Sequence, residues 1–120
     1  MGVGARYSTL EDYLKEIAAE EGLRYSEFSR TDQGFFYRSD QFPFARHGIP
    51  AVWISAGEDF ESGQDHFGEF LRNTYHTVRD DFDPSWELEA LRQTVRFAVA
   101  LVEKIGRSPE PPRWKGRPPR

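Results

Sequence analysis

Apolar residues in this chain recur at helical spacing near both ends and run together without interruption only between Ile49 and Ser55. Near the start, Leu10, Leu14, Ile17 and Ala18 fall on one face of a helix, and Ser8 with Glu11 has the form of a capping box. Gly22 supplies the stop. Leu23 to Phe28 alternates as a short strand would, and Ser29 to Gly34 reads as polar loop. A short helix is predicted next, capped by Ser39 or Asp40, with Pro43 in its first turn and Gly48 at its end. The run from Ile49 to Ser55 has the length and β-branched content of a strand buried on both faces. Gly57 to Asn73 shows no clear period and reads as a long loop holding at most a helical turn. The last helix is signed by Asp83 as N-cap and Pro84 as first residue, with Glu87 and Glu89 near its positive end. Leu88, Leu91, Val95, Ala98, Val102 and Ile105 mark one stripe along it, and Gly106 closes it. Trp53 and Trp86 read as packing residues.

The order helix, strand, short helix, strand, loop, long helix suits part of an α/β layered domain over residues 1–106. A strand buried on both faces needs neighbours, and this chain offers few. Residues 107–120 form a basic tail holding five of the eight prolines, expected to be disordered or loosely docked. At 120 residues the chain has room for one domain, and its 38% hydrophobic and 30% charged content is that of a soluble globular protein. A net charge of -4 argues against a nucleic-acid footprint, which needs a basic face. No membrane segment is expected, since no stretch approaches the ~20 apolar residues that span a bilayer. The N-terminus lacks the apolar region of a signal peptide. The absence of cysteine excludes disulfides and thiolate metal sites and leaves the compartment open.

The chemistry available is sparse. His47 beside Gly48 and His66 beside Asp65 are most simply a helix-end residue and a solvated loop residue. His76 differs because Tyr75 precedes it, in a loop that leads into the capped final helix. Imidazole binds zinc, and a tyrosine hydroxyl can donate to a developing oxyanion, so Tyr75-His76-Thr77 has the form of half of a metal-hydrolase site. No paired-histidine zinc motif accompanies it, and neither a phosphate-binding loop nor a serine nucleophile elbow is present. Asp40 is most simply a cap, and Asp80, Asp81 and Asp83 most simply solvate and cap the approach to the last helix.

Taken together, the series from Phe36-Tyr37-Arg38-Ser39-Asp40-Gln41 through Gly48-Ile49-Pro50-Ala51, the buried strand, Tyr75-His76-Thr77 and then Asp83 with its helix is specific. It resembles the C-terminal part of the double-zinc aminopeptidase family, which includes bacterial leucyl aminopeptidases and, more distantly, glutaminyl cyclases. The resemblance covers Ser8 to about Gly106 and implies an α/β fold, an incomplete C-terminal portion of a three-layer α/β/α zinc-exopeptidase domain with a mixed sheet. It matches His76 to the family's last zinc ligand, Tyr75 to a tyrosine that steadies the tetrahedral intermediate in some members, and Asp40 to an acidic residue near the active-site pocket. Gln41 stands where histidine is usual. The implied cofactor is a pair of zinc ions, and the implied substrate is a peptide cut at its N-terminal bond. The remaining metal ligands and the general base lie upstream of the matched segment in that family. The chain alone is therefore expected not to hydrolyse peptides, and the missing N-terminal half is its expected partner. Full-length relatives of this kind are commonly secreted or periplasmic, and that address would lie in the same missing part. A non-catalytic binding or assembly module keeping the fold fragment is the alternative, and a glutaminyl-cyclase-like aminoacyltransferase a further one.

Overall fold

The computed structural model describes residues 1–29, 34–58, 60 and 62–118. Most of the loop expected at Ser29–Gly34, and the last two residues of the tail, lie outside these. Among the described residues four α-helices and one two-stranded sheet form a small mixed α/β fragment, in which two antiparallel strands stand where a mixed sheet was expected. Strand β1 (Gly2–Val3) pairs with β2 (Trp53–Ile54) in the register Gly2 to Ile54 and Val3 to Trp53. A 3-10 turn over Ala5–Tyr7 leads to helix α1 (Leu10–Glu20); α2 (Gln41–Arg46), α3 (His66–Asn73) and α4 (Glu89–Arg107) follow.

Helix α1 forms as its pattern predicts, with Leu10, Leu14, Ile17 and Ala18 all buried. Its start differs. Ser8 Oγ accepts a bond from Leu10 N–H at 3.3 Å, but Glu11 does not complete a capping box, because its carboxylate is held by Lys15 and Lys115. Its end is a Schellman motif. Gly22 is left-handed at φ 67, its N–H bonds Ala19 O, and Leu23 N–H bonds Ala18 O at 2.7 Å.

The predicted strand over Leu23–Phe28 runs without a ladder partner among the described residues, although Phe28 enters the core. The Ile49–Ser55 run shortens to Trp53–Ile54, half-buried rather than buried on both faces. Pro50 has no N–H to give a ladder, and β1, its one partner, stops where Gly4 turns left-handed at φ 84. Helix α3 lies within the stretch expected to be loop. Asp65 caps it, its Oδ1 accepting from Gly68 N–H at 2.9 Å.

Two apolar clusters hold these elements together. Val3, Phe28, Phe36 and Ala45 form one, with Trp53 and Phe67 packed against it. Ala5, Leu14, Ile17 and Leu101 form the other, joining α1 to α4. Helix α4 starts at Glu89, later than Pro84, because Asp83 spends its carboxylate on a local turn. Its Oδ1 accepts from both Ser85 N–H and Ser85 Oγ–H. The packed face of α4 carries Phe97, Leu101 and Ile105, whereas Leu91, Val95 and Val102 of the predicted stripe are 59%, 55% and 71% exposed. Lys104 reaches back from α4 to Glu16 and Glu20 of α1. Among the described residues no helix is long and apolar enough to cross a membrane.

The tail is docked through its described part. Arg113 and Lys115 exchange backbone bonds with Thr9 and Tyr7, Trp114 Nε1–H donates to Gly48 O at 2.9 Å, and Ser108 accepts from the Tyr13 hydroxyl. Lys115 Nζ bridges Glu11 and Asp12 at 3.0 and 2.8 Å. The bond from Lys115 holds the Glu11 carboxyl below its ordinary range, and Asp12 and Glu11 raise the Lys115 ammonium. A lowered carboxyl adds stability above its unfolded value near 4.5 that is lost as pH falls through the folded value. A raised ammonium adds stability below its unfolded value near 10.5 that is lost as pH rises through the folded value. Lys115→Ala is expected to cost about 1 kcal/mol at neutral pH, reduced by screening of an ammonium partly in water, and to flatten the acid limb of stability. Thermal melts at neutral and acid pH check this, and equal midpoints for the two proteins at neutral pH would mean that the Lys115 bridge adds nothing to the stability of the fold.

Candidate functional site

Tyr75 and His76 follow the last turn of α3 directly. Thr74 and Tyr75 N–H both bond Phe70 O, and Thr77 closes the next turn through N–H and Oγ–H bonds to Thr74 O. Between them His76 takes φ 59, the one non-glycine residue in the left-handed region among the described residues. Its N–H donates to Asp80 Oδ2 at 3.4 Å, and its ring stacks on Tyr75 with centroids 3.8 Å apart and planes 22° from parallel. A left-handed non-glycine residue costs about 1 kcal/mol, and such residues collect at functional sites. The turn thus presents an imidazole and a phenol side by side in solvent.

Asp40 stands at the start of α2. It is the exposed N-cap residue of α2, its carboxylate makes no capping bond, and it borders a cavity of about 380 Å³ with Phe44, Pro50, Leu101 and Ile105. Tyr75 and His76 do not line that cavity, so the three expected site residues are not gathered there. Gln41, beside Asp40, is buried and lines the same cavity, and its Nε2 donates to Phe36 O at 3.4 Å. The other two imidazoles have local partners, His47 with Pro43 O and His66 with Ser62 Oγ.

A catalytic zinc takes about three protein ligands. Among the described residues no group of three His, Asp or Glu side chains could hold a metal ion. The described donors do not by themselves make up such a set.

Sequence reasoning missed Tyr25, which borders a cavity of about 400 Å³ between the end of β2 and the first half of α4. Its hydroxyl is buried without a hydrogen-bond partner among the described residues, and burial, helped by Glu11 and Glu27, pushes it up to about 12. Nothing in the alternating Leu23–Phe28 segment signals this, because the cavity is built from elements distant in sequence.

The chain matches no curated protein and no solved structure in the comparisons made. A family model does match it, that of Peptidase family M28, over residues 3–102. The matched span runs from β1 almost to the end of α4 and takes in Asp40, Gln41, Tyr75 and His76. On that match, the chain belongs to peptidase family M28.

Proposed function

We propose that this chain is the C-terminal part of a zinc-dependent aminopeptidase and does not hydrolyse peptides by itself. The observation that carries the reading is the left-handed His76 stacked on Tyr75, in a chain whose family is M28. In the complete enzyme, a three-layer α/β/α domain, His76 would offer one imidazole nitrogen to a metal, and Tyr75 would be placed to donate its hydroxyl to an oxyanion on the scissile carbonyl. The turn from Thr74 to Asp80 fixes the spacing of these two groups, so neither has to be ordered when the substrate arrives. The other metal ligands and the general base come from polypeptide that these residues do not include.

The chain alone is expected to carry much less than one zinc per molecule by elemental analysis and to leave aminoacyl chromogenic substrates intact. Joined to a polypeptide bearing the other ligands, it is expected to release N-terminal residues in a chelator-sensitive manner, with activity falling to background in His76→Ala. Unchanged activity and zinc content in the joined His76→Ala protein would take the metal away from His76. Zinc-dependent release by the chain alone would end the incomplete-site reading.

A second reading, a non-catalytic assembly module, draws support from one observation. The outer face of α4 is apolar and open to solvent.

A further inference from the structure

Helix α4 is apolar on two faces. The inner face packs on α1 through Phe97, Leu101 and Ile105. On the outer face Leu88, Leu91, Val95, Val99 and Val102 fall within one stripe running most of the helix, each at least 40% exposed. An unbroken stripe of this kind on a solvated surface marks an interaction site. Its alternating spacing of three and four is that of a seam between two helices.

The charges beside the stripe say what covers it. Arg92 and Glu103 are eleven residues apart, about three turns, and so sit on the same flank, one near each end. Placed antiparallel to a second copy, α4 crosses a two-fold axis beside Val95 and Ala98. Leu91 then meets the second copy's Val102, and Arg92 comes within about 3 Å along the axis of the second copy's Glu103. Both Arg–Glu pairs form at once, because the contact is isologous, with each Glu103 shared between the second copy's Arg92 and its own Arg107, 3.7 Å away. A parallel arrangement sets the Arg92 and Glu103 flank of each copy against the uncharged Thr94 and Ala98 flank of the other, and forms neither pair. The other flank carries Thr94 and Ala98 and brings no opposing charge.

We infer that the outer face of α4 is a self-association surface, and that the chain pairs with a second copy through antiparallel α4 helices. This goes beyond the peptidase chemistry and deepens the assembly reading, on which it rests. Zinc content and peptide release test the peptidase, whereas oligomeric state tests the pairing, so the two can fail separately.

Sedimentation of the purified full chain over a wide range of concentrations is expected to give a closed dimer. Val95→Glu, which would bury an unpaired carboxylate in the seam, is expected to weaken dimerisation about 100-fold or more. Its helix content should stay unchanged by circular dichroism, since Val95 faces away from α1. Arg92→Glu is expected to weaken the dimer, and Arg92→Glu with Glu103→Arg to restore it. That rescue is the result a merely structural role for either residue would not produce. A wild-type monomer at all concentrations, open-ended aggregation, or a dimer that persists in Val95→Glu each overturns the inference.

Discussion

Leu14→Ala is expected to remove about 2–5 kcal/mol of stability, a large part of the 5–15 kcal/mol typical of a domain. Leu14 is 1% exposed and stands where Ala5, Ile17 and Leu101 converge, so it joins the 3-10 turn, α1 and α4 at one point. The cost of such a truncation depends on how far the surroundings collapse into the space left. Here collapse is limited, because the Leu14 side chain already lies against backbone. A Cβ built on Gly2 would come within 2.5 Å of Leu14 Cδ1. Gly2 in turn is fixed by its pairing with Ile54, so the floor of the site cannot rise. The midpoint of thermal unfolding should fall by at least about 8 °C. Val78→Ala, at a side chain wholly in solvent, should change stability by less than about 0.5 kcal/mol. Similar losses for the two variants would mean that α1 does not organise the core.

That contrast shows where the sequence is informative. The inner face of α1 is legible because every apolar residue on it has a single use, burial against the sheet and α4. Helix α4 is legible as a helix and misleading as a surface. Apolar residues occupy two of its faces, and periodicity reports their spacing without saying which face meets the protein. The strand pattern of Ile49–Ser55 describes what this run can do with neighbours on both sides; with β1 alone beside it, only Trp53 and Ile54 pair. Helix α3 is hidden by Gly68 in its first turn, although Asp65 as cap and Phe67, Phe70 and Leu71 at helical spacing were there to be read. The prolines of the tail suggest disorder, while its anchors are backbone bonds to Tyr7 and Thr9, which leave no local signature.

The site divides along the same line. Adjacency of Tyr75 and His76 is visible in the sequence, but their stacking is not, because neighbouring side chains do not ordinarily face each other. The left-handed backbone at His76 is not visible, since only glycine announces that conformation. Asp40 reads as a cap and sits at the cap position, though without a capping bond. Whether it faces His76 depends on packing between distant elements, which no spacing along one segment encodes.

Gly4→Ala is expected to destabilise the chain by about 2–4 kcal/mol, from two causes that can be separated. The first is backbone. Gly4 sits at φ 84, between the end of β1 and the 3-10 turn, where an L side chain costs about 1 kcal/mol or more. The second is space. A Cβ at Gly4 would overlap the ring of Phe36, which is buried and held edge-on by Tyr7 at 5.6 Å and Phe42 at 6.0 Å. Overpacking of that kind adds about 1–3 kcal/mol. Gly22→Ala isolates the first cause, because Gly22 is left-handed at φ 67 with nothing close to its missing Cβ; it should cost only about 1 kcal/mol. Gly4→Ala combined with Phe36→Leu should recover part of the second. Equal urea midpoints for Gly4→Ala and Gly22→Ala would mean that Phe36 yields freely. The consequence reaches the matched segment, because Phe36 O accepts the Gln41 side chain at the start of α2, beside Asp40. Phe36 thus stands between the space beside Gly4, which its ring fills, and the residue next to Asp40, which its carbonyl holds.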